Sequence, residues 1–202
     1  MKWKLLEARK ETEHPFLNFY TLVYDVEDEN GHREYSYFMA SRHDANTLLA
    51  KTGNTKRPDG VLIPLYYQDP ETGKTSFLLT RQFRPAVGHY VTSMPAGLLD
   101  EDDDDLFECV RREAKEEAGA LVEDIELLCP AAPTSSGLSD ELDAVCLARI
   151  VGFEHAELEA FEDIQSALKP REEVVKMLQD PHFFFPLNIR MILLYLLERF
   201  PQ

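Results

Sequence analysis

The chain has 202 residues, 44% hydrophobic and 29% charged, with 21 Lys and Arg against 37 Asp and Glu for a formal net charge of −16. That composition excludes global disorder, and the acidic balance excludes a nonspecific grip on nucleic acid, which needs a basic surface. No apolar run approaches the roughly 20 residues of a membrane span, and the opening MKWKLLEARKETEH lacks a signal-peptide core, so a cytoplasmic protein without a membrane partner is expected.

Residues 1–58 are dense in aromatics, among them Trp3, Phe16, Phe19, Tyr20, Tyr24, Tyr35, Tyr37 and Phe38. Two β-rich runs, NFYTLVYDV and REYSYFMAS, flank DENGH, whose Asn30-Gly31 pair signals a hairpin and so a small antiparallel unit. SRHDANTLLAKTG fits a short helix capped by Asp44, and KTGNTKRPDG reads as a linker, placing a boundary between residues 58 and 59. From Gly60 the apolar strands GVLIPLYY and TSFLLTRQF, separated by the turn-forming DPETGK, begin a mixed sheet.

Phe107, Val110, Ala114, Ala118 and Leu121 recur at spacings of three and four, which predicts a helix over 105–118 with Gly119 as its left-handed C-cap. IELLC and ELDAVCLARIV read as strands on either side of the polar loop PAAPTSSGLSDE. A helix is expected from near Pro170 through EEVVKMLQ, and PLNIRMILLYLLERF closes the chain as an apolar helix. Cys109, Cys129 and Cys146 are odd in number and lack CxxC spacing, so they read as reduced packing residues.

The stretch GLLDEDDDDLFECVRREAKEEAGA, residues 97–120, is the most acidic of the chain. At roughly 100° per residue, Glu113 and Glu117 lie nearly above one another on the helix and Glu116 joins them. Glu117 falls roughly 70° and Glu113 roughly 110° from the centre of the apolar face, at its border. Three like charges there repel, and Lys115 projects to the opposite flank, whereas a divalent cation would compensate them. Arg112, four residues from both Glu108 and Glu116, can pair along the helix and orient a carboxylate. A solvated acidic face is the plainer alternative, and DEDDDD reads as a solvated loop.

Arg112 to Ala120, REAKEEAGA, resembles the REUxEExGU core of the Nudix hydrolases, U being aliphatic. Against the full pattern Gx5Ex7REUxEExGU, the interval from Gly97 to Arg112 is one residue longer and Asp104 stands where the family has Glu. The resemblance implies an α/β fold, the Nudix α/β/α sandwich with a mixed sheet, plus a small N-terminal antiparallel β domain. It implies Mg²⁺, with Mn²⁺ as substitute, held by Glu113 and Glu117 directly, by Glu116 directly or through water, and by the carbonyl of Ala96. Asp104 would brace Arg112, and Gly97 would permit the turn that aims the Ala96 carbonyl.

RQFRPAVGHYVTSMPAG is similar to the RQ[FY]R…ExPAG segment of the ADP-ribose and ADP-sugar pyrophosphatase branch, with Ser93 in place of Glu. Arginine grips diphosphates bidentately, so Arg84 is the expected phosphate ligand, with Arg81 three residues away on the alternate side of the strand. TSSGLSDELDAVCLA resembles the branch's SPGxxxE loop, with Ser136 at the proline position. By that match Glu141, or Asp140 in its place, would activate the attacking water or bind metal, beside Glu116, Glu117 and Arg112.

In that branch the N-terminal domain pairs with its twin and helps to form the nucleoside pocket of a homodimer. Phe19 and Tyr37 would then stack on a base and Arg42 would reach a phosphate. The implied domains are 1–58 for dimerisation and nucleoside, and 59–202 for hydrolysis. The implied activity is Mg²⁺-dependent cleavage of a nucleoside diphosphate derivative, ADP-ribose or an ADP-sugar, into AMP and a sugar phosphate. The alternatives are a dinucleotide polyphosphate, another nucleotide sugar, or a nucleotide-sensing domain without chemistry.

Overall fold

The computed structural model describes residues 1–100, 105–158 and 163–201. They form two compact units, Met1–Asp59 with Ala131–Asp143, and Gly60–Pro130 with Ala144–Gln202. Among the described residues no helix is long and apolar enough to cross a membrane.

The first unit is built on an antiparallel sheet of β1 (Lys2–Lys10), β2 (Asn18–Asp28) and β3 (Gly31–Ser41), in that order. The expected hairpin joins β2 to β3: Asp28 pairs with Gly31, leaving Glu29 and Asn30 as the turn, and the Asp28 carboxylate accepts the Asn30 N–H at 2.8 Å. The positive φ of the turn, +103°, falls on Gly31, where no β-carbon opposes it. β1 has no counterpart in the sequence reading, because a register shift between Leu5 and Glu7 breaks its alternation. Period-two alternation turns Tyr20, Leu22 and Met39 to one face, where they are buried with Leu48.

The short helix α1 (Leu49–Thr52) corrects one expectation. Asp44 lies too far upstream to cap it, and its backbone carbonyl instead accepts the N–H groups of Thr47 and Leu48 in the preceding turn. The carboxylate that takes an open N–H of the helix, that of Leu49 at 3.0 Å, belongs to Asp140. The segment 131–143 is bound into this unit further by Ala40 N–H donating to Leu138 O and by a reciprocal pair between Asp59 and Leu142.

The second unit contains β4 (Gly60–Leu62), β5 (Leu65–Gln68), β6 (Thr75–Arg84), β7 (His89–Ser93), β8 (Ala96–Leu98), α2 (Leu106–Ala118), β11 (Ile164–Pro170), α3 (Arg171–Gln179) and α4 (Leu187–Arg199). The long strands β9 (Ala120–Pro133) and β10 (Leu142–Phe153) carry the chain out to the first unit and back. Strand order is β11-β6-β5-β10-β4-β8, with β7 beside β6 and β9 beside β10. The sheet is mixed, since β5 runs parallel to β10 and antiparallel to β6.

Alternation along the strands assigns two cores. Val61, Ile63, Leu78, Ala144, Cys146 and Ala148 face the Cys109, Val110, Ala114 and Ala118 side of α2. Leu62, Phe77, Leu79 and Leu147 face Val174 and Met177 of α3 and Ile189, Leu193 and Leu196 of α4. Helices on both faces of the sheet cover the apolar residues that its central strands turn to either side, giving the expected α/β sandwich with its separate antiparallel sheet. The three cysteines are thiols, not disulfide partners, and burial pushes the Cys146 thiol up to about 11, as suits a packing residue.

Two boundaries differ from expectation. β9 continues through Pro133, so the loop before β10 is the shorter stretch 134–141, and Pro170 ends β11 at the N-cap position of α3 rather than inside its first turn.

Candidate active site

The acidic helix is fixed at both ends. Asp105 accepts the Phe107 N–H at 2.9 Å as N-cap, and Gly119, at φ +61°, closes the C-terminus by donating to Ala114 O and Lys115 O. Within this frame Val110, Ala114 and Ala118 seat α2 on the sheet, and the glutamates follow from that seating. Glu117 is 8% exposed, the Glu113 side chain 12% and the Glu116 side chain 42%, the gradient expected at the border of a buried face.

β8 lies against this border. The Ala96 N–H donates to Glu117 Oε2 at 3.2 Å, and the Glu113 carboxylate sits directly over Gly97, where a β-carbon would overlap it. Gly97 does not have a positive φ. Its requirement is therefore room for Glu113, and the expectation of a special turn conformation is corrected.

Arg112 Nη1 donates to Glu113 Oε1 at 2.7 Å and to Glu116 Oε2 at 3.2 Å, so one guanidinium edge neutralises two of the three carboxylates. Its Nη2 faces Leu98 O at 3.4 Å and Asp100 at 3.6 Å. Lys115 points away, toward Glu154 at 3.3 Å and Glu157 at 4.0 Å, as its helical position predicts. Asp104, the expected brace of Arg112, lies outside the described residues.

The chemistry of the donor set, three carboxylates on one face of a helix beside the backbone of Ala96, fits a hard divalent cation such as Mg²⁺, which prefers oxygen. Among the described residues no three His, Cys, Asp or Glu side chains converge as ligands, for the glutamates are turned to Arg112 and to Ala96 N–H. A cation would compete with Arg112 for Glu113 and Glu116.

The two upstream arginines have different fates. Arg81 stacks over the Tyr90 ring at 3.9 Å, and Tyr90 donates its hydroxyl to Asp163 Oδ2 at 2.8 Å, which raises the Tyr90 pKa. Arg84, at the end of β6, is exposed and forms no ion pair among the described residues. The geometry thus leaves the Arg84 guanidinium uncommitted among the described residues.

In the first unit a cavity of about 430 Å³ is lined by Trp3, Tyr24, Tyr35, Tyr37 and Met39, with Ser136 and Ser139 at its polar side. Trp3 meets Tyr24 and Tyr35 edge-to-face at 5.8 and 5.6 Å, and Tyr37 donates its hydroxyl to Gly137 O at 2.8 Å. Phe19 is on the other face of the sheet, stacked on Phe38 at 6.1 Å, so the two expected platforms do not face one another. Trp3, Tyr24 and Tyr35, which the sequence marks as aromatics but not as stacking platforms, join Tyr37 here, and the pairing of Tyr24 with Tyr35 follows from the hairpin register.

Arg42 Nη1 donates to Glu141 Oε2 at 2.7 Å, and its guanidinium lies 4.8 Å from the Phe16 ring centroid. Thr134 Oγ1 donates to Glu141 Oε1 at 3.2 Å. Asp140, offered by the sequence as a substitute for Glu141, is 8% exposed and engaged with Leu49 N–H. Burial, then the charges of Glu141 and Asp59, raise Asp143 to about 6 against the opposing pull of Arg42.

A family model described as NUDIX domain matches residues 56–176. The chain is 30% identical over 131 residues to a GDP-mannose pyrophosphatase of Yersinia enterocolitica serotype O:8 / biotype 1B (strain NCTC 13174 / 8081), a match spanning 62% of this chain and 61% of that protein. A crystal structure described as ADP compounds hydrolase superposes with a TM-score of 0.67 at 19% identity, over 98% of this chain and 94% of its own, a likeness of fold.

Proposed function

The chain belongs to the Nudix family, and from that premise we propose that it hydrolyses the pyrophosphate bond of a nucleoside diphosphate sugar, ADP-ribose or an ADP-sugar, with a divalent cation. Water adds to one phosphorus, the bridging P–O bond breaks, and the products are AMP and a sugar phosphate. The observation that carries the reading is the fit of Glu113 over Gly97 beside Glu117 on Ala96 N–H, a near-buried pair of carboxylates against backbone, the oxygen donor set that a hard divalent cation takes. The 30% identity to a protein named for a nucleotide sugar supports the substrate class.

Glu113, Glu116 and Glu117, with the Ala96 carbonyl, would hold Mg²⁺ or Mn²⁺. Such a cation, when bound, screens the diphosphate, stabilises developing charge and acidifies a bound water. Arg112 keeps Glu113 and Glu116 from splaying apart before the cation arrives. Arg84 supplies the uncommitted guanidinium for a phosphate, and Glu141 takes the proton of the attacking water. The aromatic cavity around Tyr37 takes the nucleobase, and the protein works as a cytoplasmic homodimer.

The test is turnover with Mg²⁺ of ADP-ribose, ADP-glucose, GDP-mannose and diadenosine polyphosphates by the parent and by Glu117→Gln. ADP-ribose or ADP-glucose should be the best substrate, chelation should abolish turnover, and the variant should be inactive. A parent that hydrolyses none of them, or a variant at full rate, sinks the reading.

A further inference from the structure

We infer that Arg42 is a positioning residue for Glu141, fixing that carboxylate for its part in the reaction, and is not a ligand of the substrate's phosphates. The inference rests on the hydrolase reading, in which Glu141 takes the water's proton. Its own ground is the way the protein holds Glu141.

Both carboxylate oxygens are occupied, Oε2 by Arg42 at 2.7 Å and Oε1 by Thr134 at 3.2 Å. The backbone on either side is tethered as well: Thr134 N–H donates to Glu141 O at 3.1 Å, Asp140 is bonded to Leu49 N–H, and Leu142 exchanges two hydrogen bonds with Asp59. A glutamate side chain left alone samples several rotamers, and restricting it is what a general base near its water requires. Arg42 is itself restrained, since its guanidinium rests against Phe16 while one edge is committed to Glu141. To reach a phosphate it would have to release the Glu141 carboxylate, which forms an ion pair with no other residue among those described. An exposed ion pair would carry little weight, but these side chains are only 33% and 31% exposed and the acceptor is shared with a hydroxyl.

The experiment is steady-state kinetics with Mg²⁺ and ADP-ribose on the parent, Arg42→Met, which keeps the stem against Phe16, and Arg42→Lys, each with a thermal melt. Arg42→Met should lower kcat about tenfold with KM within about twofold, and Arg42→Lys should recover part of the loss. In a Glu141→Gln background Arg42→Met should change the residual kcat by less than about twofold, because the group it positions is gone. A raised KM at unchanged kcat, no kinetic effect, or full additivity with Glu141→Gln overturns the inference. If Arg42→Met does not fold, the split between kcat and KM in Arg42→Lys decides by the same criteria. A parent without turnover on any nucleotide sugar condemns the hydrolase reading, whereas an active parent with one of the overturning results condemns only the role of Arg42.

Discussion

The carboxylate of Glu113 occupies the space that a β-carbon on Gly97 would need. Gly97→Ala therefore sets a methyl against a near-buried charge that Arg112 also holds. Overpacking of this kind costs about 1–3 kcal/mol, and turnover should fall at least ~100-fold as Glu113 is pushed out of place. Adding Glu113→Asp, which shortens the side chain, should restore the melting temperature while leaving turnover low. A Gly97→Ala protein with parental kcat would show that Glu113 does no chemistry.

Asp140 and Glu141 are neighbours with separate tasks. Asp140→Ala should cost about 0.5–2 kcal/mol by uncapping α1 at Leu49, read by chemical denaturation, and kcat should fall far less than in Glu141→Gln, since Arg42 and Thr134 still hold the Glu141 carboxylate. Glu141→Gln should do the reverse, lowering kcat with little change in stability. A collapse of kcat in Asp140→Ala would transfer the base to that residue.

Asp143 gives the stability a pH signature. Its carboxyl is raised from 3.8 to about 6 by burial and by Glu141 and Asp59, so between those values the folded chain binds more protons than the unfolded one. Stability contributed by the neutral form is thus lost as pH rises from about 4 to about 6, and does not fall further above that. Asp143→Asn should remove this slope and stabilise the protein at pH 7 by on the order of 1 kcal/mol, a figure reduced for partial solvent exposure. Denaturation at pH 4.5 and pH 7 checks it, and an unchanged slope would rule Asp143 out as its source.

The chain has one tryptophan, and Trp3 lines the aromatic cavity. Binding of AMP or ADP-ribose should alter its fluorescence in a saturable way, and Tyr37→Ala should weaken that binding about tenfold, the scale of a lost aromatic contact with its buried area. Fluorescence indifferent to nucleotide would remove the base from this cavity.

Helix α2 was legible in the sequence because its apolar period, Asp105 and Gly119 act within one turn of its ends. The hairpin was legible for the same reason, since the Asn30-Gly31 signal lies at the turn, one residue beyond the Glu29-Asn30 pair that forms it. What escaped depends on distance along the chain. Arg42 and Glu141 are 99 residues apart, Asp140 and Leu49 91 apart, and no local pattern joins either pair. The role of Gly97 escaped differently, because a sequence shows that a glycine is present and not which neighbour needs the space.

The excursion of the chain between β9 and β10 bears on how this protein can be cut and recombined. Residues 131–143 belong with residues 1–59, and they supply Ser136 and Ser139 to the cavity and Glu141 to Arg42. A graft that exchanges specificity by replacing only the N-terminal 59 residues would import foreign walls while keeping the resident loop. A working chimera has to be spliced at both places together, so the unit of exchange is a discontinuous one.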